Sequence, residues 1–199
     1  MFSACLSTTI VVRFDMGYSD GHPLRLDGGR LILDFLNTAD WSETGDVVHE
    51  KLECLEDVRL WMKAVGLSGY GSPETVKELT QFRSDLRPAF LTGQRTLLAT
   101  HVINSTIKEI SGDVLSQSIS GAKQSYPPAS LVEMIALSAA SILSDVREKN
   151  RLRICPGARC GWLFLDETKN ARRKWCSMEA CGNREKARRN YERSKAASA

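Results

Sequence analysis

Long apolar runs are missing from this chain of 199 residues. No stretch reaches the roughly 18 apolar residues that a transmembrane helix needs, so no membrane span is expected. Histidine is scarce: His22, His49 and His101 stand far apart, with no partner at metal-ligand or triad spacing. The strings that mark common catalytic sites are lacking too, among them G-x-S-x-G, a Gly-rich phosphate loop and H-E-x-x-H. These absences remove the usual grounds for an enzyme, and none is expected. The opening Met1–Phe14 is partly apolar but carries no basic segment ahead of its apolar stretch. A secretory signal needs one, so residues 1–20 read as an extra strand or a disordered leader. The expected compartment is the cytoplasm, where thiols stay reduced. Composition is that of a globular chain, with 42% apolar and 26% charged residues, which excludes a disordered class.

The net charge of +3 conceals an asymmetry. From Arg151 onward there are 13 Lys/Arg against 5 Asp/Glu, a net +8, whereas the preceding residues carry a net −5. A basic tail on an acidic body points to a polyanion at one end and another task at the other.

Gly28-Gly29 marks a turn ahead of Leu31–Leu36, a run too short and too uniformly apolar for periodicity to classify. A helix is the preferred reading. Leu52, Leu55, Val58, Trp61 and Val65 recur at helical spacing, with Gly66 at the C-terminal cap and Cys54 in that helix as a small core or boundary residue. Ser72-Pro73-Glu74 supplies a hydroxyl cap, a proline at the first helical position and an acid near the positive dipole end. Val76, Leu79, Phe82 and Leu86 continue that helix until Pro88 ends or kinks it, with a second segment over Ala89–His101. Asn104 reads as the cap of a short helix to Ile110. Residues 113–126 alternate around Gly121 as a β-hairpin. Ser130 and Glu133 form a capping box for a helix with Leu131, Met134, Ile135, Ile142 and Val146 facing inward. The rise in charge at Arg147–Arg153 places the domain boundary there.

The cysteines carry the chemistry. Cys155 and Cys160 form one close pair, Cys176 and Cys181 another, with fifteen residues between the pairs. Two close pairs on separate turns can converge on one tetrahedral zinc, and the spacer matches known zinc modules. Buried thiols or two disulfides are the alternatives. Four thiolates leave no open coordination position, so one structural zinc is expected, with no catalytic role. Trp162–Leu165 and Trp175 would cover the metal, because so small a module cannot build a sufficient core alone. Residues 182–195 then read as a basic helix. Arg172, Arg173, Lys174, Arg184, Lys186, Arg188 and Arg189 compose the footprint expected of phosphate-backbone binding, and Asn183 and Arg184 are types that read base edges. Bracing of the zinc knuckle by Asn183 and Arg184 is a competing role, and a solvated surface helix is the bland one.

The expected fold class is mainly α with a small β element. A helical domain over residues 21–149 precedes a zinc module over residues 150–199 that ends in the basic helix. The two parts are expected to be separable in stability, each losing structure by itself. In the first, Asp34, Asn37, Thr38, Asp40 and Trp41 form a polar-aromatic cluster. It could line a ligand pocket, but a helix end stitched by Asn37 and Thr38 to backbone groups is preferred.

The string CPGARCGWLFLDETKNARRKWCSMEACGNREKARR resembles the CGNR zinc finger, named for residues that stand here as Cys181-Gly182-Asn183-Arg184. All four cysteines match, as do Trp162, Phe164, Asp166, Trp175, Ser177 and Met178; Thr168-Lys169-Asn170 departs mildly from a Ser-Arg-Asn run. Leu33–Thr38, reading LDFLNT, resembles the start of the ABATE domain that commonly precedes this finger. The resemblance spans about residues 24–195. It implies a bacterial stress-induced transcription regulator with a DNA-binding finger and an amino-terminal domain that senses a small molecule or protein partner. A zinc-dependent protein- or RNA-binding adaptor is the alternative.

Overall fold

The computed structural model describes residues 24–68, 75–91, 101, 103–105 and 130–197. The expected leader, the Ser72-Pro73-Glu74 cap and the hairpin over 113–126 lie outside them.

Helix α1 (Leu31–Leu36) is the hub of the core. Ile32, Leu33, Phe35 and Leu36 are all fully buried, which explains the uniform apolarity: a helix enclosed on every side needs no polar stripe. Helices α2 (Leu55–Ala64), α3 (Val76–Leu86) and α4 (Leu131–Ser144) supply its surroundings. Helix α2 ends as expected, with Gly66 at φ +78° just beyond it. Helix α3 starts later than Ser72-Pro73 implied: Thr75 is its cap, accepting from the Glu78 N–H at 3.2 Å. It passes into a 3-10 turn over Arg87–Phe90 that takes in Pro88. Ile103, Asn104 and Ser105 are helical, so Asn104 sits within a helix instead of capping one.

The Ser130–Glu133 capping box opens α4 as read from sequence. Leu131, Ile135 and Ile142 face inward, but Val146 is 63% exposed. The helix breaks at Asp145, whose carboxylate accepts from the Arg147 and Glu148 N–H groups and starts a new helix, α5 (Val146–Arg151). That break turns Val146 outward.

The described residues hold two small β elements. Strands β1 (Ala39–Trp41) and β2 (Val47–Glu50) pair antiparallel, with an irregularity between Asp40 and Trp41. Strands β3 (Leu152–Ile154) and β4 (Leu163–Leu165) pair in register from Leu152↔Leu165 to Ile154↔Leu163.

Strand β4 joins the two halves of the chain. Side chains alternate across a strand, and here both faces are buried. Leu163 and Leu165 enter the helical core around α1, while Phe164 and its neighbour Trp162 pack on the cysteines. The step in charge at Arg147–Arg153 therefore marks no gap in packing, which argues against the expected separability in stability. One core spans it.

Candidate metal centre and the basic helix

The β3–β4 hairpin loop forms the first half of the site. The Cys155 N–H donates to the Trp162 carbonyl at 2.8 Å and the Cys160 N–H to the Gly157 carbonyl at 3.1 Å, closing a knuckle that presents both thiols. Cys176 and Cys181 come from the following loop and from a π-helical turn over Met178–Gly182. Ser177 caps that turn, accepting from the Ala180 N–H at 3.3 Å. A Cβ on Gly182 would lie 2.6 Å from the Met178 sulfur, so any larger residue there would have to displace the Met178 side chain.

The four sulfurs lie within 4.8 Å of one another, and all four cysteines are buried. Cys160–Cys176 and Cys176–Cys181 are separated by 3.7 Å and 3.6 Å. A tetrahedral ion with Zn–S bonds of about 2.3 Å would hold its sulfurs about 3.8 Å apart. The donor set fits one structural zinc. Crowding also sets the thiols against each other: hydrogen bonds from Cys160 and the other thiols push Cys155 far below the ordinary thiol range, while Cys155 drives Cys160 and Cys176 up. A divalent cation removes that conflict by stabilising all four thiolates together.

The knuckle is fixed to the body through β1. Gly161, at φ +57°, approaches so closely that a Cβ would lie 2.8 Å from the Trp41 carbonyl oxygen. The Trp41 N–H donates to the Cys160 carbonyl at 3.2 Å, and Arg87 Nη2 donates to the Gly161 carbonyl at 2.8 Å. Asp40 accepts from Trp162 Nε1 at 2.7 Å and from Lys51 Nζ at 2.9 Å, all three groups being shielded from water. Burial lowers the Lys51 ammonium against the pull of Asp40. Asn37 binds both backbone groups of Leu163, and Thr38 donates to the Phe35 carbonyl while accepting from Arg83. Asp34 accepts from the Gly28 N–H at 2.8 Å, and desolvation raises its carboxyl to about 7. The polar-aromatic cluster is thus stitched into the interior, and its link to the finger is the part that sequence spacing does not show.

The expected nucleic-acid residues divide. Arg173 is taken up by the structure: its guanidinium lies 4.5 Å from the Phe164 ring centroid and donates to the carbonyls of Asp27, Trp175 and Cys176. Its N–H donates to Asp166 at 2.8 Å. Although burial opposes it, this bond and those from Thr168 hold the Asp166 carboxyl below its ordinary range. Arg184 turns back to the metal site, with Nη2 3.7 Å from the Cys181 sulfur. Arg172 and Lys174 are exposed beside the knuckle. Asn183 opens helix α6 (Asn183–Ala197), none of whose 15 residues is buried. On it Arg188 pairs with Glu185 and Glu192, and Arg189 with Glu185. Lys186, Arg193 and Lys195 enter no ion pair among the described residues.

Two family profiles match the chain. Residues 29–145 match ABATE, described as "Putative stress-induced transcription regulator", and residues 151–194 match the CGNR zinc finger. The chain belongs to the ABATE family. It carries a CGNR zinc finger behind the ABATE segment, in the order that the sequence resemblance implied. Comparison with curated proteins returned no match. The finger's signature now has a physical content: Cys181 is one of the four clustered thiols, Gly182 admits Met178, Asn183 starts the helix and Arg184 leans on the Cys181 sulfur. No helix among the described residues is long and apolar enough to cross a membrane.

Proposed function

We propose that this chain is a cytoplasmic transcription regulator that binds DNA through its finger and basic helix, while its ABATE segment senses a small molecule or protein partner. The observation that carries this reading is α6: a 15-residue helix with no buried residue, rooted directly in the ligand Cys181. A bare, charged helix fixed at one end has the dimensions to enter a major groove. Arg172, Lys174, Lys186, Arg188 and Arg189 form the phosphate-facing set, with Asn183 nearest the bases. Arg173 and Arg184 leave that set, because their guanidinium groups serve the finger itself. Glu185 and Glu192 do not silence Arg188 and Arg189, since exposed ion pairs contribute little and exchange readily for phosphate.

Those same pairs favour a second reading, a zinc-dependent adaptor whose charge-alternating helix meets a protein or RNA. Selection from a random DNA pool with the zinc-loaded full chain separates the two. A regulator enriches a defined sequence and loses affinity steeply with salt. An adaptor binds DNA no better than a similarly basic control at physiological salt.

A further inference from the structure

Helix α6 has no buried residue, yet its side chains are sorted around its axis. Successive helical residues turn by about 100°, so Asn183, Ala187, Asn190 and Ser194 fall within about 60° of one another on one face. All four are exposed, and none carries a charge. Glu185 and Glu192 fall on the opposite face. Cations occupy the two edges between them, Lys186 and Arg193 along one, Arg188 and Lys195 along the other. Tyr191, 70% exposed, stands beside the neutral strip, and its hydroxyl is of a type that meets phosphate. The ion pairs keep to this order: Arg188 and Arg189 reach back to Glu185 and Glu192, away from the strip. Charges placed for solubility alone need no such segregation.

The pattern fits the major groove of duplex DNA. That groove is about 12 Å wide and admits a helix about 10–12 Å in diameter. Phosphates line both rims and base edges form the floor. Cations on two edges with an uncharged strip between them match that surface, and the two acids then face away from it. Duplex RNA offers no equivalent, because its major groove is too narrow to be read.

The strip also selects among the bases. Guanine is read by arginine or lysine, and the cytosine amino group by a carboxylate. The strip holds neither. Asparagine pairs through two bonds with adenine N6 and N7, and alanine packs on the thymine methyl. The side-chain amides of Asn183 and Asn190 make no hydrogen bond among the described residues, whereas the Ser194 hydroxyl donates to the Asn190 carbonyl at 3.1 Å. Seven residues separate the two asparagines, about 10.5 Å of helix, which matches about three base-pair steps of about 3.4 Å.

We propose that α6 reads A·T base pairs in the major groove through this strip, Asn183 and Asn190 each pairing with an adenine about three base pairs apart and Ala187 meeting a thymine methyl between them. The inference rests on the DNA-binding reading above and adds to it the face turned to the bases and the base pairs preferred.

The test begins with selection from a random duplex pool by the zinc-loaded full chain, which should enrich sites holding two adenines about three base pairs apart. Exchanging either A·T pair for G·C should weaken binding about 5- to 150-fold, the loss of one two-bond contact. Asn190→Ala lies mid-helix, and alanine is the better helix former, so zinc content and melting temperature should stay unchanged. That variant should lose the preference at one position and keep the salt slope. Placing 7-deazaadenine, which lacks the N7 acceptor, at that position should weaken binding of the parent and leave Asn190→Ala unaffected. Asn183→Ala should relax the second position; if it loosens zinc beside Cys181, Asn190→Ala decides. Enrichment of G·C-rich sites, or an adenine preference that survives in Asn190→Ala, would overturn the inference and leave DNA binding standing. Affinity no better than that of a similarly basic control, with no sequence enriched, would overturn both.

Discussion

Asn37 and Leu163, 126 residues apart in the chain, meet as two halves of a strand-like pair. The side-chain Nδ2 donates to the Leu163 carbonyl at 2.8 Å, and Oδ1 accepts from the Leu163 N–H at 2.9 Å. One amide side chain thereby satisfies both backbone groups of a residue that lies in the core. Asn37→Ala should cost about 1–3 kcal/mol for each group left unsatisfied. Urea denaturation of the zinc-loaded protein checks this, and a loss well below 1 kcal/mol would show that water replaces the amide.

Zinc removal should act on the whole molecule. Leu163 and Leu165 belong to the helical core, and Phe164 and Trp162 to the cysteine cluster, so unfolding the finger strips the core of two buried leucines. Chelation is therefore expected to remove finger and helical signal in one cooperative transition, followed by circular dichroism against zinc content. Cys176→Ser should bind no zinc and melt far lower. A helical body with unchanged melting temperature after chelation would contradict the shared core.

Asp34 supplies a pH dependence. Its carboxyl is raised by desolvation from 3.8 to about 7, so between those values the folded state holds a proton that the unfolded state releases. Stability from this group is present at low pH and falls as pH rises towards 7. Asp34→Asn keeps the oxygen that accepts from Gly28 and removes the titration. Relative to the parent, it should gain melting temperature from pH 5 to pH 8, with the parallel change in zinc affinity common to both proteins.

Arg173 and Lys186 should separate cleanly. Arg173→Ala removes the donor that ties Asp27, Trp175 and Cys176 together, and should lower both stability and zinc affinity. Lys186→Ala should leave both alone and weaken binding to all DNA sequences alike, reducing the salt slope by about one unit. Thermal melts, competition with a zinc chelator and DNA titration at several salt concentrations read the three effects.

What sequence made legible was local. The cysteine pairs, the Ser130–Glu133 box and the Gly66 cap are each complete within a few residues. Chemistry at that range is written in the spacing. The misplacements have the opposite character. Val146 continues the apolar pattern of α4, yet Asp145 breaks the helix with its own side chain. Strands β1 and β2 have three and four residues, too few for alternation to register. Arg173 looks like any other tail cation until Phe164 and the Asp27 carbonyl are brought beside it. The attachment of the knuckle to Trp41, Asp40 and Arg87 depends on tertiary approach alone, and no pattern in the chain announces it.

The double-sided burial of β4 also bears on how the protein is made. Synthesis delivers Asn37 and the whole of α1 long before Leu163, so the ribosome holds an incomplete interior until most of the chain has emerged. Closing that interior is a late, long-range event of the kind that folds slowly and leaves apolar surface open in the meantime. The metal ligands arrive at that same late moment, on either side of the strand that finishes the job. Yield of native protein should therefore follow zinc supply during translation, with chains made in scarcity passing to proteases before they can act.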